Sequence, residues 1–151
     1  IRDFVIMLYQ TGARYNEVAS LKHEHVSLEQ KRIKFVDTKN GEDRTIPMND
    51  VVLDIMKRYR FGQTVFNIKY DRFYDHFVSA KKKAGLEFFR AHDLRACFCT
   101  NALLSGLSIP EVASLSGHKD WKMLKRYTRI KPEDLQEKVN KIIWINKESL
   151  G

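Results

Sequence analysis

A histidine and a tyrosine stand nine residues apart in GHKDWKMLKRYTR, residues 117–129, among Lys119, Lys122, Lys125, Arg126 and Arg129. A phenol with a free pKa of about 10 is a weak nucleophile at neutral pH, and it becomes a useful one only where neighbours activate it. An imidazole titrates near neutrality and can take part in proton transfer or hydrogen-bond an oxyanion. His118 and Tyr127 form a chemical pair only if the fold brings them together. On one continuous α-helix, nine residues turn through roughly 180° and rise about 13.5 Å, so the two side chains would point apart. The chain must break between them, and Gly117 and Asp120 offer a stop and a restart. Two plainer readings compete. The run also fits a basic helix lying on nucleic acid. It fits equally the second half of a helix-turn-helix from Ile109 to Arg126, with Ala113 in the first helix and Trp121 and Met123 as core positions. Spacing alone leaves all three open.

Three upstream stretches carry further candidates. Arg14 follows a glycine in TGARYNEVASL (11–21), His92 and Arg95 frame a helix start in AHDLR (91–95), and Lys39 precedes Asn40-Gly41 in DTKNGEDRTIP. Two arginines suit a phosphate, because the guanidinium fork matches its oxygens in pairs. Each residue also has an ordinary reading. Arg14 and Glu17 are spaced to pair on one helix face, His92 can cap a helix, Lys39 can be a solvated turn residue, and Tyr127 can be a packing residue. Lys31, Lys34 and Arg44 lie near Lys39 and compete for any role given to it.

The 151 residues suit one domain and carry a formal net charge of +8. That balance favours nucleic acid as partner, with an anionic membrane surface second. No apolar run reaches the roughly 18 residues a membrane span needs, and no signal peptide is evident, so the expected location is cytoplasmic. The five histidines (His23, His25, His76, His92, His118) join no carboxylate or thiol cluster, and no glycine-rich phosphate loop is present. Cys97 and Cys99 are too few for a zinc site and too close for an unstrained disulfide, so buried free thiols are expected. The chain starts at Ile1 inside an apolar run, so it is expected to be part of a longer protein with an N-terminal domain ahead of it.

The positioning elements follow from periodicity and punctuation. A first helix buries Phe4, Val5, Met7 and Leu8 and stops near Gly12, and a second runs from about Asn16 to Leu21. RIKFVDTK-NG-EDRTIPM reads as a hairpin turning on Asn40-Gly41. Asp50 is expected to cap a helix containing Val52, Leu53, Ile55 and Met56. Thr64 to Phe66 is extended, and a helix over about 70–84 carries Lys81, Lys82 and Lys83 at its dipole-favoured end. Asp93 opens a helix to about Leu104, and Ser108 caps another with Pro110 in its first turn. Asp120 starts the next. Pro132 begins a last helix with Leu135, Val139, Ile142 and Ile143 on one face. EVASL occurs at 17–21 and 111–115 with unmatched flanks, which is no repeat. The fold class is therefore mainly helical with a small antiparallel β-sheet.

Taken together, TG-x-R-x-x-E-x-x-x-L with Arg14, Glu17 and Leu21, the hairpin Lys39, H-x-L-R with His92 and Arg95, the G-H ending in His118, and a tyrosine nine residues later resemble the tyrosine recombinases, or phage integrases. Each motif is weak alone, but the ordered set across residues 11–127 is specific. The resemblance implies the catalytic-domain fold of that family, the DNA breaking-rejoining type. It implies that Tyr127 attacks a scissile phosphate to give a 3′-phosphotyrosyl link and a free 5′-hydroxyl, without metal, ATP or other cofactor. Arg14 and Arg95 would hold the phosphate oxygens, and His118 would hydrogen-bond a non-bridging oxygen. His92 would assist phosphate binding or proton transfer, and Lys39 would protonate the leaving 5′-oxygen. The implied partners are double-stranded DNA attachment sites and further copies of the chain. Those copies form a tetramer on DNA, with the Leu135–Val139–Ile142–Ile143 face docked on a neighbour or folded back. The isolated domain could be monomeric. The alternatives are a non-catalytic helix-turn-helix DNA reader and a type IB topoisomerase-like nicking-closing enzyme. ACFCT after H-x-L-R is apolar where many relatives are polar or basic.

Overall fold

The structure, a computed structural model, describes residues 1–36, 42–127 and 131–140, and of Arg126, Tyr127, Asp134, Lys138 and Asn140 only the backbone. Helix α1 (Arg2–Thr11) buries Phe4, Met7 and Leu8, spaced three and four apart on one face. The Thr11 hydroxyl donates to the Met7 carbonyl at 2.6 Å and accepts from the Ala13 N–H at 3.3 Å. Gly12 then takes a left-handed φ of 64°. A Cβ on Gly12 would sit 2.3 Å from the Phe98 ring, so helix α5 (Asp93–Leu104) packs on bare backbone there.

Helix α2 (Tyr15–Ala19) is followed by a three-ten turn, His23–His25, and a three-stranded antiparallel sheet of β1 (Val26–Ser27), β2 (Arg32–Phe35) and β3 (Arg44–Pro47) in the order β1-β2-β3. Ile33, Phe35 and Ile46 turn inward while Arg32, Lys34 and Thr45 face out, which is the alternation the sequence shows. The expected hairpin is present, with Phe35 paired to Arg44 and Ile33 to Ile46. The turn itself, Lys39 included, lies outside the described residues.

Helix α3 (Asp50–Arg58) is capped by Asn49, not by Asp50. The Asn49 side-chain oxygen accepts from the Val52 N–H at 2.9 Å, and Asp50 sits one residue inside, where its charge suits the dipole. The Thr64–Phe66 segment lies beside the end of the first motif, with the Val65 N–H donating to the Leu21 carbonyl at 2.8 Å. Helix α4 (Tyr70–Lys83) closes one core. There the Phe4 ring meets Tyr15, Phe66 and Phe73 at centroid distances of 5.2, 5.5 and 5.2 Å.

Helices α5 and α6 (Ile109–Ser116) and the three-ten helix Trp121–Tyr127 form a second, smaller core of Cys99, Val112, Ala113 and Leu124. Ser108 and Glu111 make a reciprocal capping box at the start of α6. Its other end is Gly117, left-handed at φ 78°. The chain restarts as expected, with the Asp120 side chain accepting from the Lys122 N–H at 2.8 Å. Trp121 and Met123 are corrected from core to exposed, and Leu124 is the buried residue instead.

The doubled EVASL has a physical cause. Glu17 and Glu111 each sit at the third position of a helix and accept the N–H of the capping residue, Arg14 in one case and Ser108 in the other, while Val18 and Val112 are fully buried behind them. Cys97 and Cys99 are free; Cys99 is buried as expected, whereas Cys97 is corrected from buried to partly exposed. In α7 (Pro132–Asn140), Leu135 and Val139 are exposed, and Ile142 and Ile143 lie outside the described residues. No helix among the described residues is long and apolar enough to cross a membrane.

Candidate active site

The seam between the two cores is bridged by one buried cation. Arg95, in the first turn of α5, is 3% exposed. Its Nη1 donates to the Gly12 carbonyl at 2.7 Å and also to the Ser116 carbonyl, and its Nη2 lies 3.2 Å from His118 Nδ1. The two glycine turns of the motifs therefore meet on a single guanidinium. Burial, then the charges of Arg14 and Arg44, push the Arg95 pKa down to about 10, which leaves it cationic at neutral pH.

Arg14 lines a cleft together with His118. It is the residue before α2, and its backbone N–H donates to Glu17 Oε2 at 2.6 Å. Its guanidinium is 44% exposed and touches Glu17 only loosely, at 3.5 Å, so it can still meet a ligand. Arg14, Arg44, Gly117, His118, Lys119 and Trp121 line a cleft of about 360 Å³. His92 is the capping residue of α5, although its side chain makes no cap bond. The start is instead secured by Asp93, whose carboxylate accepts from the Arg90 N–H at 2.8 Å. Burial, then the charge of Arg95, lower the His92 pKa against the opposing pull of Asp93. The shift favours the neutral ring.

Four of the six residues singled out in the sequence, Arg14, His92, Arg95 and His118, gather here. The backbone of Tyr127 ends the three-ten helix that packs on α5 and α6, and its side chain, like all of Lys39, lies outside the described residues.

Two residues gain roles that the sequence alone does not mark. Glu17 and Arg44 form a buried bidentate pair, with Arg44 Nη2 donating to Glu17 Oε2 at 2.9 Å and Nη1 to Oε1. Arg44 Nε donates to the Leu115 carbonyl at 2.8 Å, and the guanidinium lies 4.9 Å from the centre of the Phe35 ring. A Cβ on Gly117 would come within 2.9 Å of that guanidinium. Arg44 is therefore a strut joining the hairpin to α2 and α6. The other hairpin charges are also engaged, Lys34 with Asp43 at 2.8 Å and Lys119 with Glu42 at 3.5 Å. No local signal marks the pair, because Glu17 and Arg44 are 27 residues apart.

Burial raises the Glu17 carboxyl, but hydrogen bonds from Arg44 and the Arg14 backbone, with both their charges, outweigh it and hold the pKa below its ordinary 4.5. A depressed folded pKa means that this stabilisation is complete above 4.5 and is lost as pH falls through the lower folded value. Arg44→Ala leaves the buried Glu17 with only the Arg14 backbone N–H and a loose contact to the Arg14 guanidinium, at a cost of about 3 kcal/mol. The expected Tm drop is roughly 10 °C at neutral pH, shrinking in acid as Glu17 protonates. Thermal melts by circular dichroism at the two pH values check this, and a drop that did not shrink in acid would contradict it.

The sequence model of the phage integrase family matches residues 1–134. The chain belongs to the phage integrase family. Among curated members of known name, it is 34% identical over 134 residues to the tyrosine recombinase XerA of Saccharolobus solfataricus, covering 86% of this chain and 46% of that protein. It is 28% identical to the integrase of Escherichia phage P2, covering 92% of this chain and 40% of that one. The chain spans about half the length of the curated relatives it matches. Among solved structures, the catalytic domain of bacteriophage HP1 integrase superposes with a TM-score of 0.75 at 27% identity, covering 92% of this chain and 80% of that one. The XerA recombinase crystal structure, at TM-score 0.69 and 21% identity, shares the fold. The mainly helical architecture with one small antiparallel sheet is the fold of these integrase catalytic domains.

Proposed function

We propose that this chain is the C-terminal catalytic domain of a site-specific DNA recombinase that breaks and rejoins strands through Tyr127. The observation that carries the reading is that Arg14 and His118 line one cleft, with the buried Arg95 in contact with His118, beside the segment that ends at Tyr127. In the proposed step the Tyr127 hydroxyl oxygen attacks the scissile phosphorus. The bond from phosphorus to the 5′-oxygen breaks, and the 3′-phosphoryl group stays on tyrosine. His92 takes the phenol proton, and Lys39 gives one to the leaving 5′-oxygen. Arg14 and Arg95 match the charge that gathers on the non-bridging oxygens in the transition state. A 5′-hydroxyl from a partner strand then runs the step backwards, and the bond energy is conserved without ATP.

The solved neighbours include XerH recombinase bound to its difH substrate, which supports duplex DNA as the partner here. Assembly is proposed as a tetramer on DNA, with the exposed Leu135 and Val139 face of α7 as a contact between copies. The domain would act in the cytoplasm.

The test is a nicked suicide substrate carrying the attachment site, incubated with the chain in its full-length context. The reading expects a covalent protein–DNA adduct that survives denaturation, and the absence of any adduct would sink it. The acid role of Lys39 has its own test. Lys39→Ala should cut strands at least roughly 100-fold more slowly, and a 5′-bridging phosphorothiolate, whose sulfur needs no proton to leave, should restore most of the rate. A slow mutant that the sulfur does not rescue would show that Lys39 is not the acid.

A further inference from the structure

Glu17 is a buried carboxylate beside Arg14 and within the field of Arg95. That place is awkward for the proposed chemistry. A phosphate must find the Arg14 guanidinium unspent, yet Arg14 and Glu17 stand at i and i+3, the spacing at which an arginine and a carboxylate pair on a helix. The pair nonetheless stays loose, at 3.5 Å, and the Arg14 side chain remains exposed at the wall of the cleft.

Arg44 accounts for this. Its Nη2 donates to Glu17 Oε2 at 2.9 Å and its Nη1 to Oε1. The Arg14 backbone N–H donates to Oε2 as well, at 2.6 Å. A carboxylate offers about four lone-pair sites, so three are taken by close donors and only part of Oε1 is left to the Arg14 side chain. Charge runs the same way. Arg44 and Glu17 cancel, and Arg14 and Arg95 keep their charges for an anion. Arg44 is itself a poor anion ligand, because both Nη are spent on Glu17, and Nε donates to the Leu115 carbonyl at 2.8 Å. Without Arg44, Oε1 opens and Glu17 regains a full negative charge in a buried setting. The cation within reach is Arg14, already at 3.5 Å. Its guanidinium closes on the carboxylate, and the cleft loses a phosphate ligand.

We propose that Arg44 is a positioning residue for Arg14: it occupies the Glu17 carboxylate and so leaves the Arg14 guanidinium unspent at the cleft. What Arg14 then binds, a DNA phosphate, rests on the recombinase reading. The arrangement of the three side chains is open to test without DNA.

The test compares Arg44→Met, which fills the space beside Phe35 without a charge, with the double variant Arg44→Met/Glu17→Gln, whose glutamine can still accept the Arg14 N–H. Arginine side-chain NMR on the ¹⁵N-labelled chain reads the Arg14 Nε–H. Its signal in the parent should be that of a solvent-exposed guanidinium. In Arg44→Met it should move to that of a carboxylate-bound one and exchange more slowly with water, and in the double variant it should return. Adduct formation on the suicide substrate, in the full-length context, should slow by about 100-fold in Arg44→Met and recover to within about tenfold of the parent in the double variant. Should Arg44→Met unfold, the double variant decides alone, since it leaves no buried charge unpaired. A folded double variant that is still about 100-fold slower than the parent would overturn the proposal, as would an Arg14 signal unmoved in Arg44→Met. The NMR result stands apart from the cleavage assay, so the expected Arg14 signals with no adduct from the parent would count against the recombinase reading alone.

Discussion

Arg95→Lys should lower single-turnover strand cleavage by about 1,000-fold while the chain stays folded. The charge is nominally kept, so the loss has to come from shape and burial. Arg95 reaches the Gly12 carbonyl, the Ser116 carbonyl and His118 Nδ1 with two different nitrogens of one planar fork. A lysine has one nitrogen on a flexible stem and cannot span the three. It would also sit in a site 3% exposed, among Arg14 and Arg44, where desolvation and like charges favour the neutral amine. The transition state would then lose a cation as well as a fork. Arg95→Ala should be worse for stability, because two carbonyls at the seam lose their donor at about 1–3 kcal/mol each. Circular dichroism separates the two effects, and a lysine variant within tenfold of the parent rate would contradict the account.

Tyr127→Phe should reduce adduct formation below detection, with DNA binding and melting temperature near those of the parent. The substitution removes one oxygen and keeps the ring, whereas on the proposed reading the covalent intermediate forms on that oxygen. The neighbourhood is set up for this. Leu124, three residues earlier, is buried between α5 and α6 and anchors the three-ten helix. The break at Gly117 and Asp120 removes the geometric objection of a single helix, on which the two side chains would point apart.

What was legible in the sequence was mostly local. Gly12 and Gly117 were readable as stops because a left-handed residue at a helix end needs no partner to identify it. Ser108 with Glu111 and Asp120 with Lys122 were readable for the same reason, since the bonds span two or three residues. The site itself was readable only as an ordered set, because Arg14, His92, Arg95 and His118 are scattered over a hundred positions and converge through tertiary packing. The parts that escaped are those with no local cost or signal. Strand β1 is two residues long and carries no alternation to detect. The two hairpin strands, by contrast, were readable because Ile33, Phe35 and Ile46 alternate with outward residues. Trp121 and Met123 fitted core positions of a helix-turn-helix, whereas the segment is a short three-ten helix that exposes both. The Arg44–Glu17 strut joins residues from two motifs, and Arg44 read only as a rival to Lys39.

The central claim is that one atom, the hydroxyl oxygen of Tyr127, carries the DNA. The most direct measurement is to trap the adduct on a nicked suicide substrate, digest both protein and DNA, and locate the nucleotide-bearing residue by mass spectrometry. The account predicts a 3′-linked nucleotide on the peptide containing Tyr127, and on no other, with the signal gone in Tyr127→Phe. A nucleotide on any other residue, a 5′ linkage, or an adduct undiminished in Tyr127→Phe would contradict it.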